Sequence, residues 1–267
     1  MYKLIVSDLD ETLLQSDKNI STKDIEAINA LNGLRFVIST GRGFESVTKT
    51  LKQLNQYDKE DTYTISFNGG IITENKDNKI LYENPLSFNQ ASFLFELGKK
   101  YDVCIHVYTK QICYTYRIFD NEERYIKPTM RFISFDDDNL DFLKNKTIMK
   151  VLYCNEDMNY LRDIKQEIQL DNEYEISFSA NRYIEFNPKA VNKGSGLIKL
   201  CEILNIDIKD TIAIGDSIND LSMLKVAGLS IGVSNCVDEV KPYCDHILDA
   251  NHNSSPISEL IEKYIKR

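Results

Sequence analysis

KLIVSDLDETLL, residues 3–14, is an apolar run that ends in alternating polar side chains. Residues 4–6 indicate a buried strand, and Asp8 and Asp10 follow it at a spacing of two. Because alternate side chains of an extended chain share one face, both carboxylates are expected on the same side, just past the strand. Neighbouring carboxylates repel each other, and a divalent cation such as Mg2+ relieves that repulsion. The alternative from this stretch alone is a polar turn capped by Asp10 or Thr12.

The composition is that of an ordinary globular protein. The chain has 267 residues, 42% of them hydrophobic and 27% charged, and a formal net charge of -9. This length predicts one large or two modest domains, and the negative charge argues against broad binding to nucleic acid or an anionic membrane. The apolar run at the start is too short for a signal peptide or a membrane helix, so a cytoplasmic location is expected. Six cysteines without a CxxC pair and three dispersed histidines predict reduced thiols and no zinc site.

Units of strand, loop and helix repeat along the first part of the chain and return near its end. Ser21 is placed to cap a helix that Gly33 ends, and residues 34–38 form the next apolar run, followed by Thr40. Such alternation predicts an α/β fold with a parallel sheet, whose ligands bind beyond the carboxyl ends of the strands. Thr40 is therefore expected to lie beside Asp8.

The segment 84–187 interrupts this pattern. Its predicted strands alternate between polar and apolar residues, which is typical of an antiparallel sheet with one face covered by helices. We predict a separate α+β unit inserted into a scaffold made of residues 1–83 and 188–267. Long insertions in surface loops cost little stability and often act as lids or binding modules.

A second acidic group lies in GDSINDLSML, residues 215–224, after another predicted strand. Asp216 precedes a helical turn, and Asn219 and Asp220 fall about one turn further on, beside unpaired backbone amides that favour anions. Asp216 is expected to complete a metal site with Asp8. Simple capping of the helix is the alternative.

Lys193, in the sequence NKG, begins the helix that leads back into the scaffold. Lysine is usually solvated, but a site that holds several carboxylates and a phosphate needs a further cation. The hydroxyl of Thr40 and the amide of Gly41, at a helix start, suit the same phosphate, with helix capping as the alternative.

Four motifs in this order resemble those of haloacid dehalogenase superfamily phosphatases, of the Cof-type subfamily with a C2-type α+β cap. They are DxDxT at residues 8–12, Thr40 in STGR, Lys193 in NKG, and GDSIND at residues 215–220. The resemblance spans nearly the whole chain, although no motif in the cap specifies a substrate. It implies a Rossmann-like core with a parallel sheet and an inserted cap domain that selects the substrate.

The resemblance also implies residue roles. Asp8 would be the nucleophile that forms an aspartyl-phosphate, and Asp10 the general acid and base, with Mg2+ as cofactor. The implied metal ligands are Asp8, Asp10 through its backbone carbonyl, Asp216 and Ser217. The implied phosphate-binding groups are Leu9, Thr40, Gly41, Lys193 and Asn219, with Asp220 supporting them. The candidate substrate contacts are Arg42, Asn68 and Gly69, although Asn68-Gly69 is also a typical turn.

The expected activity is Mg2+-dependent hydrolysis of a small phosphorylated metabolite, either a sugar phosphate or a phosphorylated cofactor. The nearest alternative is a sugar phosphomutase of the same superfamily. Another is a regulatory module that resembles phospho-receiver domains, although a receiver needs neither a cap-sized insertion nor the GDSIND motif. The physiological substrate and the oligomeric state stay open.

Overall fold

The computed structural model describes residues 1–265 and divides into two compact units. The core unit consists of Met1–Glu83 and the chain from Asn192 onward, and the inserted unit is Asn84–Val191. The second division falls a few residues after the boundary at 187/188 that the sequence pattern predicts.

Fourteen strands and eight α-helices are found within residues 1–265. The strands are β1 (Leu4–Ser7), β2 (Arg35–Ser39), β3 (Tyr63–Ser66), β4 (Ile71–Glu74), β5 (Lys79–Glu83), β6 (Cys104–Thr109), β7 (Cys113–Tyr116), β8 (Phe132–Phe135), β9 (Ile148–Cys154), β10 (Tyr174–Ser179), β11 (Tyr183–Pro188), β12 (Thr211–Gly215), β13 (Leu229–Gly232) and β14 (His246–Ile247). The helices are α1 (Thr22–Asn29), α2 (Thr48–Gln53), α3 (Phe88–Gly98), α4 (Asp120–Ile126), α5 (Met158–Ile168), α6 (Lys193–Leu204), α7 (Leu221–Leu224) and α8 (Pro256–Tyr264).

The core unit is organised around an eight-stranded sheet of order β14-β13-β12-β1-β2-β3-β4-β5. The pairs from β14 to β3 are parallel, and β3, β4 and β5 continue the sheet as antiparallel hairpins. All four residues of β1 are buried, as expected for a strand in the middle of a parallel sheet. Ser7 is in register with Ile38 of β2 and Ile214 of β12, so these three strands end at the same edge. The structure confirms the predicted α/β fold with a parallel sheet.

The inserted unit contains a six-stranded sheet of order β10-β11-β9-β6-β7-β8. All its pairs are antiparallel except β7 with β8. One face of this sheet packs on apolar residues of α3 and α5, which form the buried core of the unit. Strand β8 was not expected from the sequence pattern, because it is a short edge strand whose Ile133 is exposed.

One predicted helix near the end of the chain is shorter in the structure than the sequence pattern indicates. The pattern of residues 237–243 predicts a short helix, but only Lys241–Tyr243 form a single 3-10 turn. Pro242 in this turn has no amide to donate, and the amide of Val237 donates instead to the carbonyl of Asp216 at 2.9 Å.

Among residues 1–265, no helix is long and apolar enough to cross a membrane.

Candidate active site

The site lies at the shared edge where β1, β2 and β12 end. The amide of Asp8 donates to the carbonyl of Ile214 at 2.9 Å, which ties the residue after β1 to the end of β12. The hydroxyl of Thr12 donates to Asp216 Oδ1 at 2.8 Å across the same gap. The first and last sequence motifs are thus joined directly, and Thr12 has a structural role in this site that the sequence alone did not assign.

Three carboxylates from these loops form a buried cluster. Asp8, Asp216 and Asp220 are 6%, 8% and 0% exposed, and one carboxylate oxygen of each lies within 4.8 Å of the others. Hard divalent cations prefer oxygen ligands of this type, and separate carboxylates from two loops are a common way to bind them. The donor set therefore fits a divalent metal ion.

Asp220 accepts hydrogen bonds through both of its carboxylate oxygens. Its Oδ2 accepts from the amides of Asp216 and Ser217, each at 3.0 Å, and its Oδ1 accepts from Lys193 Nζ at 2.6 Å. A Cβ at Gly215 would lie within 2.6 Å of this carboxyl group, so only glycine leaves it room. Asp220 thus positions the turn that carries Asp216.

Lys193 is completely buried and bridges two of these carboxylates. Its Nζ donates to Asp8 Oδ1 and to Asp220 Oδ1. It is the first residue of α6, which begins with a reciprocal cap between Asn192 and Ser195. Burial opposes its charge, but Asp220 and Asp8 raise its pKa overall, so the side chain is an ammonium ion. A lysine that the sequence marks only by position is thus a cation fixed at the centre of the site.

The electrostatics of the cluster indicate an excess of negative charge. Burial and the neighbouring Asp220 raise the pKa of Asp8 to about 7. Burial and the neighbouring Asp8 raise the pKa of Asp216 to about 9. One lysine does not balance three carboxylates at this distance, and a divalent cation would favour their ionised forms.

The carboxylate of Asp10 is directed to a different set of partners. Arg42 donates to both of its oxygens, with Nε at 2.8 Å from Oδ2, and Lys18 Nζ lies 3.4 Å from Oδ1. Burial opposes ionisation, but Arg42 and Lys18 lower the pKa of Asp10 overall. Lys18 is a site residue that sequence analysis missed, since a lysine in a polar turn carries no distinguishing pattern.

The turn after β2 places Thr40 and Arg42 near the site. Thr40 is 2% exposed, and its hydroxyl oxygen accepts from the amide of Arg42 at 3.2 Å. The carbonyl of Thr40 accepts from the amide of Asn68 at 2.9 Å, and a Cβ at Gly41 would lie 3.1 Å from Asn68 Oδ1. The candidate contact Asn68 therefore lies against the turn that contains Thr40 and the second candidate contact, Arg42.

Residues Phe67–Gly69 form a turn with three consecutive left-handed backbone conformations. Their φ angles are 51° for Phe67, 54° for Asn68 and 96° for Gly69. A Cβ at Gly69 would lie 2.3 Å from the carbonyl oxygen of Asn192, so this position requires glycine. The turn thus passes close to the start of α6, and strained turns of this kind cluster at functional sites.

The other candidate residues lie on the same loops. Leu9 is fully buried, and its carbonyl accepts the amides of Leu13 and Leu14 at 3.1 and 2.8 Å. The hydroxyl of Ser217 donates to Asn219 Oδ1 at 2.7 Å. These two residues therefore lie in the same turn as Asp216.

Comparison with known proteins identifies the class. The model of the haloacid dehalogenase-like hydrolases matches residues 5–261, and the chain belongs to this family. It is 27% identical over 251 residues to the 5-amino-6-(5-phospho-D-ribitylamino)uracil phosphatase YcsE of Bacillus subtilis, covering 93% of this chain and 90% of that protein.

Solved structures agree with this assignment. A haloacid dehalogenase-like hydrolase from Bacteroides thetaiotaomicron is 29% identical, with a TM-score of 0.83 over 98% of this chain and 99% of that one. A haloacid dehalogenase-like hydrolase from B. subtilis is 20% identical and has the same fold, with a TM-score of 0.88 over 98% and 100% of the two chains. The resemblance stated from the motifs is confirmed, and the protein is a phosphatase of this family.

Proposed function

We propose that this protein is a Mg2+-dependent phosphomonoesterase that acts through an aspartyl-phosphate on Asp8. The observation that carries the proposal is the convergence of Asp8, Lys193 and Asp216 in one buried cluster at the end of a parallel sheet. A nucleophilic carboxylate, a fixed cation and a metal-binding carboxylate are the groups that transfer of a phosphoryl group to an aspartate requires.

The carboxylates of Asp8 and Asp216, with the carbonyl of Asp10 and Ser217, are the groups we assign to Mg2+. We do not assign Asp220 to the ion, because both of its oxygens accept hydrogen bonds, one from Lys193 and the other from two backbone amides. When bound, the ion supplies positive charge that offsets the repulsion between the carboxylates and the phosphate.

The first step is attack on phosphorus. A carboxylate oxygen of Asp8 forms a bond to phosphorus, and the bond from phosphorus to the ester oxygen breaks. Asp10 gives its proton to that oxygen, so the product leaves as an alcohol. The ammonium group of Lys193, the hydroxyl of Thr40 and the amides of Leu9 and Gly41 neutralise and orient the phosphate oxygens, with Asn219 beside them.

The second step returns the enzyme to its starting state. Asp10, now a carboxylate, takes a proton from water as the water oxygen bonds to phosphorus. The bond from phosphorus to Asp8 breaks, which releases inorganic phosphate and restores the Asp8 carboxylate. The ion pair with Arg42 holds Asp10 as a carboxylate, the form that takes a proton in the second step. For the first step Asp10 has to leave Arg42 and carry a proton, so substrate binding is proposed to separate the pair.

The substrate we propose is a small phosphorylated metabolite, either a sugar phosphate or a phosphorylated cofactor. The relative YcsE is named for a phosphorylated ribitylaminouracil, which is a compound of this size and chemistry. Arg42, Asn68 and Gly69 are proposed contacts to the part of the substrate beyond the phosphate. The inserted unit, Asn84–Val191, is proposed as the cap that selects this part.

A panel of phosphate monoesters tests the proposal. Free phosphate is measured with Mg2+ and with a chelator, for the wild type and for the Asp8→Asn and Asp10→Asn variants. We expect turnover that needs the metal and that falls by about three orders of magnitude or more in Asp8→Asn. Full turnover by Asp8→Asn would show that this residue is not the nucleophile.

The same panel separates a phosphatase from a phosphomutase. A phosphatase accumulates free phosphate in proportion to the substrate consumed. A mutase instead converts one sugar phosphate into its isomer, because the phosphoryl group on Asp8 returns to a sugar hydroxyl. Isomer formation without free phosphate would favour the mutase.

A further inference from the structure

The segment that follows β1 folds back on itself and carries Asp10 at its beginning. We name residues 10–19 the catalytic arm. The amide of Leu14 donates to the carbonyl of Leu9 at 2.8 Å, and that of Lys18 to the carbonyl of Gln15 at 2.8 Å. Glu11 and Lys18 have left-handed backbones, with φ angles of 57° and 63°. Such conformations in residues other than glycine persist where the surroundings hold them in place.

A loop near the end of the chain lies against this arm. Residues 251–255, which we name the C-terminal loop, have the sequence NHNSS and precede α8. Asn251 Oδ1 organises the loop by accepting from the amide of Asn253 at 2.9 Å and from the hydroxyl of Ser254 at 3.1 Å. Hydrogen bonds to its first residue therefore fix the conformation of the C-terminal loop.

Asn253 uses both ends of its side chain on the arm. Its Oδ1 accepts from the amide of Ser16 at 2.9 Å, and its Nδ2 lies 3.1 Å from the Ser16 hydroxyl oxygen. Its carbonyl accepts from Gln15 Nε2 at 3.2 Å. His252 Nε2 also lies 3.1 Å from the Ser16 hydroxyl oxygen. The far end of the arm is thus fixed by several hydrogen bonds to one loop.

Asn235 makes a second link, closer to Asp10. Its Nδ2 donates to the carbonyl of Glu11 at 2.9 Å, and its Oδ1 accepts from the amide of His252 at 2.9 Å. Two residues further on, the amide of Val237 donates to the carbonyl of Asp216 at 2.9 Å. Asn235 therefore connects the residue after Asp10, the C-terminal loop and the segment that leads to Asp216.

We propose that Asn235 and Asn253 are positioning residues that hold the catalytic arm and so fix the placement of Asp10 relative to Asp216. The inference rests on the proposed function, in which Asp10 is the general acid. In both residues the carboxamide acts as donor and acceptor at once, which a carboxylate of the same shape does not do. Small displacements of a catalytic group cost large factors in rate, so a support outside the site affects turnover.

The test compares two kinds of leaving group in the Asn235→Asp, Asn235→Ala, Asn253→Asp and Asn253→Ala variants. An alkyl phosphate needs a proton on its leaving oxygen, whereas p-nitrophenyl phosphate does not. We expect leaving-group release in the first turnover to slow about tenfold or more for the alkyl phosphate and to stay within about twofold of wild type for p-nitrophenyl phosphate. The first turnover is measured because hydrolysis of the intermediate uses Asp10 as base with either substrate. Ser254→Ala is the matched control, because the hydrogen bond of this side chain, to Asn251, lies within the C-terminal loop.

The Asp10→Asn variant separates failure of this inference from failure of the proposed function. If Asp10→Asn slows first-turnover release of both leaving groups equally, Asp10 is not the acid, and the proposed function and this inference fail together. If Asp10→Asn discriminates between the substrates but the asparagine variants retain both or lose both equally, the positioning role alone is overturned. Agreement between the Asp and Ala variants assigns the effect to the lost hydrogen bonds rather than to added charge. First-turnover release of p-nitrophenolate also reports that each variant is folded.

Discussion

Lys193 Nζ and Asp220 Oδ1 lie 2.6 Å apart, and both side chains are completely excluded from solvent. The same lysine also contacts Asp8, and the other oxygen of Asp220 holds the amides of Asp216 and Ser217. Lys193 and Asp220 therefore join the start of α6, the proposed nucleophile that follows β1 and the turn after β12 that carries Asp216. The two residues of the pair are distant in sequence and adjacent in space, so the pair fixes the relative positions of the loops that carry them. It also places a positive charge beside the carboxylates.

Removal of the carboxylate at Asp220 is expected to destabilise the fold strongly. Asp220→Ala leaves a buried ammonium with one partner fewer and two amides unbonded, which costs about 3 kcal/mol or more of unfolding free energy. Denaturation in urea measures this loss. Asp249→Asn is the control, since that carboxylate is 94% exposed in its pair with Lys263 and no measurable change is expected. Equal stability of Asp220→Ala and wild type would contradict the role given to this pair.

Binding of Mg2+ is expected to raise the thermal midpoint of the wild type. A ligand that binds only the folded state raises the free energy of unfolding by about 2.7 kcal/mol at a concentration of 100 times its Kd. Asp216→Asn removes a proposed ligand, and its midpoint is expected to respond little to the metal. Asp10→Asn should respond like the wild type, because only the backbone carbonyl of this residue is assigned to Mg2+. The prediction fails if Asp216→Asn is stabilised as much as the wild type.

The inserted unit is expected to lose stability in mild acid because of His106. Burial lowers the pKa of this fully enclosed histidine to about 4, from about 6.5 in an unfolded chain. The contribution of the neutral His106 side chain to the free energy of unfolding is complete above pH 6.5. It declines as the pH falls toward 4, since the unfolded state then binds the proton more readily. Between pH 7 and pH 4.5, the unfolding free energy of the wild type should fall by on the order of 2 kcal/mol more than that of His106→Asn. Parallel pH profiles from urea denaturation would rule this out.

Parts of the site follow directly from sequence and parts do not. Asp8, Thr40 and Asp216 each follow an apolar run, and parallel strands end at a common edge, so their proximity is predictable. Burial of Lys193 is not, because lysine is usually solvated and only the folded chain shows its two carboxylate partners. The pairing of Arg42 with Asp10 is equally hidden, since a charge 32 residues away in the chain carries no periodic signal.

The strands of the fold are likewise predictable from sequence only in part. The central strands β1, β2, β12 and β13 are buried on both faces and have strong apolar runs, so their existence and order of appearance are predictable. Strand β8 has only four residues, two of them exposed, and its pairing with β7 depends on contacts that sequence pattern does not encode. The support of the catalytic arm by Asn235 and Asn253 is likewise tertiary, because both residues stand in polar loops more than 200 positions away.

The central claim is that Asp8 becomes phosphorylated, and direct detection of the phosphorylated residue tests it. The Asp10→Asn variant is mixed with p-nitrophenyl phosphate and Mg2+, quenched in acid and digested for mass spectrometry. The aryl leaving group departs without a proton donor, while hydrolysis of the intermediate lacks its base and is slow, so the intermediate accumulates. We predict one added phosphoryl group on the peptide that contains Asp8, removed by hydroxylamine and absent in the Asp8→Asn, Asp10→Asn double variant. Release of phosphate in a first turnover with no phosphorylated Asp8 peptide would contradict the mechanism.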